Sequence, residues 1–171
     1  ARRRIQKAVH GSFRLSPSGE YMWWWDRAQR AWFVQHLGGD TVAEPAVNVS
    51  AAIDQRMDRE LHDQPALPGS YGAAGWLEGD AGLILYDAYD LWLVDPRAPT
   101  APRCLTERVG RDHRLQFRLI DTDPEEALAR EGRLLLSALD MDTKEAGFWR
   151  DEIDSARPPR RLWMEAVRTT R

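Results

Sequence analysis

Asp26, Asp87 and Asp140 each end an apolar run, and they stand 61 and 53 residues apart. A carboxylate can act as a general base, ligate a metal or hold a turn. The first two roles need partners. Each of these aspartates is instead followed by a short polar link, and an Asp in that position most often accepts backbone N–H groups of the turn that follows. We therefore expect turn roles, and a cost of about 1 kcal/mol for Asp87→Ala, as for a lost cap or turn bond. His10, His36, His62 and His113 show no HxxxH or comparable pairing. His62-Asp63 could be a base and its orienter, but no nucleophile is identifiable beside it. Cys104 is the single cysteine. It can form no internal disulfide and lacks the companions of a zinc cluster, so a buried structural thiol is expected. Asp140-Met141-Asp142 with Gly147 is faintly like a calcium loop, yet the glycine spacing is wrong and the bidentate Glu is missing. Trp23-Trp24-Trp25 could be a stacking platform for sugars or bases. In a strand, Trp23 and Trp25 point one way and Trp24 the other, so core packing is the expected role. No catalytic, cofactor-binding or metal-ligating residue is assigned, and no cofactor is expected.

These residues sit on short apolar runs bounded by turn signals. In residues 75–96, the runs GLILYD and DLWLVD flank a tight link, Asp87-Ala88-Tyr89-Asp90, and Glu78-Gly79-Asp80 precedes them. Such runs read as strands. Neither alternates cleanly, which points to a strand covered on both faces. The same order appears earlier: a turn at Ser16-Pro17-Ser18-Gly19, then EYMWWWD, RAQR, AWFVQHL and TVAEPAVNVS. It appears again later: Glu131-Gly132-Arg133, then LLLSALD, MDTKEA, GFWRDEI and RRLWMEA. Gly19, Gly79 and Gly132 lie 60 and 53 residues apart. A period near 50 residues with three or four strands per unit is a propeller signature. The expected fold is all-β: a partial β-propeller of short antiparallel sheets, with blades near 11–66, 67–120 and 121–171. Two short helices are expected as insertions. One spans residues 51–61, where Ile53, Met57 and Leu61 recur every fourth position; the other spans 121–130, where Asp precedes Pro and acids come early.

The chain has 171 residues, enough for a sizeable core, and a formal charge of −3. Nothing in that balance suggests a nucleic-acid partner. Arg2-Arg3-Arg4 and Arg160-Arg161 read as solvated chain ends. No apolar run nears 18 residues, and the first residues lack the apolar core of a secretory signal, so no membrane association is expected.

The stretches LSPSGEYMWWWD, HDQPALPGSYGAAGW, LILYDAYDLWLVDP and LLLSALDMDTKEAGFW resemble the β-propeller domain of the prolyl oligopeptidase family of serine peptidases, bacterial members in particular. The resemblance implies a fragment. Such enzymes carry a C-terminal α/β-hydrolase domain with a G-x-S-x-G nucleophile elbow. That pattern is missing here; GSYGAAG at residues 69–75 has the wrong spacing. About three blades are present, where family propellers have seven or eight. The implied role is to gate peptide substrates on their way to the hydrolase domain. In the dipeptidyl-peptidase branch an acidic pair holds the substrate amine, but the residues around Glu125-Glu126 do not match that motif. The resemblance favours the bacterial periplasm. A binding-only propeller, of the TolB-like kind, is the alternative. Three blades cannot close a ring, so the end sheets should leave faces open, with Trp24 and Leu135 as candidates, and self-association is expected.

Overall fold

The computed structural model describes residues 12–38, 44–60, 65–120 and 126–166. It is all-β, with three four-stranded antiparallel sheets and one short helix, an arrangement of partial-propeller type. The first sheet joins β1 (Arg14–Leu15), β2 (Tyr21–Asp26), β3 (Ala31–His36) and β4 (Val47–Asn48) in that order. The second joins β5 (Ala73–Trp76), β6 (Leu83–Tyr86), β7 (Leu91–Val94) and β8 (Arg103–Cys104). The third joins β9 (Leu115–Leu119), β10 (Arg133–Asp140), β11 (Glu145–Glu152) and β12 (Arg160–Ala166). Each is a meander, so every strand pairs with its neighbour in sequence.

The runs without alternation are explained by the second sheet. Its Leu83, Leu85, Trp92 and Val94 meet Tyr21, Trp23, Trp25 and Trp32 of the first sheet in one core. Its Ile84, Tyr86 and Leu91 meet Phe117, Leu134, Leu136 and Ala138 of the third sheet in another. Alternate residues of one strand thus serve two cores, and β6 is buried throughout. Glycines in the left-handed range lead into all three central hairpins: Gly19 at φ 77°, Gly79 at 59° and Gly132 at 138°.

Three expectations need correction. Residues 51–60 form turns and bends rather than a helix. Ile53 and Met57 are buried in the first core, held there by a chain that wraps the sheet edge; the bidentate Arg56–Asp58 pair and the Asp58–Ser70 bridge pin it. The expected helix at 121–130 falls partly outside the described residues, and residues 126–130 are not helical. There Leu128 bridges to Leu77 in parallel, exchanging backbone bonds with Trp76 and Glu78. Finally, Leu115–Leu119, within the stretch assigned to the second unit, is the first strand of the third sheet. The one α-helix, α1 (Val109–His113), links the second and third sheets.

Candidate functional site

The three closing aspartates all make the turn bonds expected of them. Asp26 Oδ1 accepts from the Ala28 and Gln29 amides at 2.9 and 3.0 Å. Asp87 Oδ1 accepts from Tyr89 and Asp90 at 2.6 and 2.7 Å. Asp140 Oδ1 accepts from Asp142 and Thr143 at 2.8 and 2.9 Å. The same device recurs in three surroundings. Asp140 is in a solvated turn, where these amides hold its carboxyl below the usual range. Asp87 is fully buried, and its other oxygen takes the Trp92 indole N–H at 3.1 Å and faces Arg111 at 3.6 Å.

Around Asp87 lies the densest polar cluster among the described residues. Asp90 is 1 % exposed and accepts from Thr106 Oγ1 (2.6 Å) and from the Gly110 and Arg111 amides (2.9 Å each). It caps α1 from 20 residues away, in the place of a local N-cap side chain. Burial raises the Asp90 pKa; the Thr106 hydroxyl opposes the rise and the charge of Asp87 adds to it. Arg111 links this cluster to Glu60 at 3.0 Å and lies over the Tyr89 ring. Arg118 bonds the carbonyl of Asp87 at 3.3 Å and stands over Tyr86 and Tyr71; burial lowers its pKa. Apart from the Arg111 Nε, the carboxylates and hydroxyl here are bonded to neighbours, which suits a joint between sheets better than a reacting centre.

Other candidate groups are likewise committed to structure. Ser16 Oγ donates to Asp80 Oδ2 at 2.6 Å and Ser18 Oγ donates to the same oxygen, tying the first sheet's turn to the second's. Neither hydroxyl has a histidine partner in these bonds. Burial, with the charge of Asp90 adding, pushes the Cys104 thiol up to about 11, far from a reactive thiolate. Trp23 and Trp25 belong to the first core, while Trp24 points to the opposite face and stacks on Phe33, with Phe13 tilted against it. At 1 % exposure, Trp24 is not an open end-face residue as expected; Leu135, at 43 %, is. His113 lies on α1; His10, His62, Asp63 and Glu125 lie outside the described residues. Among the described residues no group of three His, Cys, Asp or Glu side chains could hold a metal ion. The Asp140–Asp142 loop has spent its aspartate on amides, and Asp142 pairs with Arg114 at 2.8 Å.

Two features face solvent. One is a cleft of about 460 Å³ at the end of the seam between the first two sheets. Tyr21 and His36 form its wall, their rings 5.1 Å apart, and Arg97 reaches over Tyr21 from the loop after β7. Glu44 accepts from or pairs with His36 at 3.2 Å, and Glu20 completes an opening with both signs of charge. Sequence reasoning missed this cleft, because its wall from β2, β3 and β4 is completed by Pro96 and Arg97 of the second sheet, which share no run or spacing with it. The other feature is the outer face of the third sheet, with Leu135, Phe148 and Trp163 exposed. No protein-family model matches the chain, and comparison with curated proteins finds no match.

Proposed function

We propose that this chain is a non-catalytic propeller segment of a prolyl oligopeptidase-like serine peptidase, gating peptide access to an α/β-hydrolase domain outside these residues. The observation that carries the first half is the state of its reactive groups. Ser16, Asp80, Asp87 and Asp90 are engaged in joining sheets and turns, and Cys104 is held as a neutral thiol, as in a scaffold that works by shape. The peptidase setting rests on the resemblance of the sequence stretches alone. A gate of this kind contributes a size filter and no chemical group. The test is the encoded polypeptide beyond Arg171. A G-x-S-x-G elbow, labelling of that serine by a fluorophosphonate, and cleavage of short peptides in preference to folded proteins are the expected results. A reading frame without the elbow, or hydrolysis of a prolyl-chromogenic peptide by the 171-residue chain itself, overturns the proposal.

The cleft favours a second reading, a binding-only propeller. Carboxylates at Glu20 and Glu44, a guanidinium at Arg97 and an aromatic wall suit a small zwitterionic or peptide-like ligand. Tyr21→Ala with Arg97→Ala should abolish binding measured by calorimetry against a dipeptide panel. Absence of any binding to the unaltered chain ends this reading.

A further inference from the structure

Arg103 crosses from the second sheet to the third. It stands on β8 opposite Leu93, which packs against the second core, so its side chain points toward the third sheet. Its Nη1 donates to the Ser155 carbonyl at 2.9 Å and its Nη2 to the Ile153 carbonyl. Both carbonyls belong to the chain leaving β11, where the Ser155 amide donates to the Glu152 carbonyl at 3.2 Å and closes a turn. Asp151 lies at the root of that turn. Its cross-strand partner is Leu134 of the second core, so its carboxyl faces the same seam. It is 4 % exposed; Oδ1 accepts from the Glu152 amide at 2.8 Å, and Oδ2 has no hydrogen-bond partner. One guanidinium thus has three acceptors within one seam, two carbonyls that it holds and a buried carboxyl oxygen that no donor reaches.

The proton on Asp151 decides between these acceptors. A neutral carboxyl competes poorly with two amide carbonyls. An ionised one is the stronger acceptor and leaves a buried charge without a partner. No other charge nearby supplies that partner. Glu107, in the exposed turn after β8, and Glu152, next on the strand, carry the same sign. Arg150 and Glu152 alternate to the far face of β11, opposite Arg160 and Arg133. Asp154 and Arg157 of the turn are exposed, and β10 offers only Leu134. Burial is the largest influence on Asp151 and raises its pKa from 3.8 to about 6, against the opposing pull of the Glu152 amide and of Arg103. The arrangement with Arg103 on the carbonyls therefore holds this proton more tightly than one in which the carboxylate is paired. It is fully favoured below about pH 4 and gives way as pH rises through about 6.

We propose that Asp151 and Arg103 form a proton-controlled latch on the seam between the second and third sheets. With Asp151 neutral, Arg103 holds the Ile153 and Ser155 carbonyls; when the carboxyl ionises, the guanidinium turns to Oδ2 and releases the turn at residues 153–155. The Ile153 amide keeps its bond to the Gly132 carbonyl, so the ladder stays and only the seam's edge changes. The inference stands apart from the peptidase setting. Carbon-13 titration of the Asp151 carboxyl in the unaltered chain should give a midpoint above 3.8, and the Arg103 guanidinium nitrogen shifts should move with the same midpoint. Amide exchange at Ser155, taken relative to Ile153, should rise about tenfold or more between about pH 4.5 and 7.5. Asp151→Asn, nearly the same shape, should keep both the Arg103 shifts and that ratio constant. Arg103→Met should raise the Asp151 midpoint further and leave Ser155 exchanging fast at either pH. A midpoint at or below 3.8 would overturn the proposal. So would Arg103 shifts that ignore the titration, an exchange ratio that stays flat in the unaltered chain or still rises in Asp151→Asn, or a midpoint unmoved by Arg103→Met.

Discussion

Asp26, Asp87 and Asp140 make the same two turn bonds, so their substitution separates a turn's worth from that of its surroundings. Asp140→Ala should lower stability the least, since water can reach the two freed amides. Asp87→Ala removes the same bonds within a fully buried site and also strands the Trp92 indole N–H and the Arg111 guanidinium. Relief of repulsion with Asp90 offsets part of the loss, leaving about 2–4 kcal/mol, more than the turn alone implies. Equal midpoints for the two variants in urea unfolding would contradict this ordering. Asp151 shows the opposite balance. It is 4 % exposed, its Oδ1 accepts from the Glu152 amide, and its Oδ2 has no hydrogen-bond partner. Burial raises its pKa from 3.8 to about 6, with the Glu152 amide and Arg103 opposing and Glu107 and Glu152 adding. The folded state holds this proton more tightly than the unfolded chain does. Its contribution to stability is therefore whole below about pH 4 and is lost as pH rises through about 6. Asp151→Asn should stabilise the protein near pH 7.5 by on the order of 2–3 kcal/mol and by almost nothing near pH 3.5. A gain independent of pH would assign the effect to packing.

At the scale of elements, the sequence carries the strands well and the helices badly, for one reason. A strand's signal here is local: an apolar run such as LILY or YMWWWD between turn residues, with glycine at positive φ before it. The α1 helix has no local start. Arg108 ahead of it is left-handed, at φ 63°, and the capping carboxylate comes from Asp90 in the hairpin turn. Conversely, the four-residue spacing of Ile53 and Met57 is a coincidence of a wrapping chain whose bends each place one side chain in the core. β9 was passed over in the sequence, although LQFRL alternates apolar and polar residues and Leu115 and Phe117 are buried. The non-local cap yields a sharp test. In an ordinary helix, Gly→Ala is favourable by up to about 1 kcal/mol. At Gly110 a Cβ would lie 2.5 Å from Asp90 Oδ1 and 2.8 Å from the Tyr89 and Leu115 carbonyl oxygens. Gly110→Ala should therefore destabilise by about 2 kcal/mol or more, through overpacking against backbone that cannot yield. A rise in melting temperature would mean that the helix moves free of the hairpin.

For the molecule as a whole, the stack of sheets was legible from the spacing of Gly19, Gly79 and Gly132, whereas the cleft was not, because Glu20, His36 and Arg97 share no run or period. The exposed face at Leu135 followed from counting sheets. The burial of Trp24 did not, since it depends on how Phe13 and Phe33 close over it. The same stacking governs how the molecule should unfold. The two cores share no residue, but both are built on the second sheet. Leu83 and Leu85 serve one and Ile84 and Leu91 the other, all fully buried, so neither core can open without exposing a face of the same four strands. The Ser16–Asp80 bond and the Arg103 bond to the Ser155 carbonyl at 2.9 Å tie the outer sheets to the middle one. Unfolding should therefore be a single cooperative transition. The tryptophans make this measurable. Five of the eight, Trp23, Trp25, Trp32, Trp76 and Trp92, lie in the first core, and Trp149 alone packs against the second. Indole fluorescence thus reports chiefly on the first core, while far-ultraviolet circular dichroism reports on all three sheets. Their urea transitions should coincide, and Leu136→Ala, confined to the second core, should shift both together by about 2–5 kcal/mol. A circular-dichroism transition that precedes the fluorescence change would show the third sheet leaving first, and the middle sheet would not be the joint on which both cores depend.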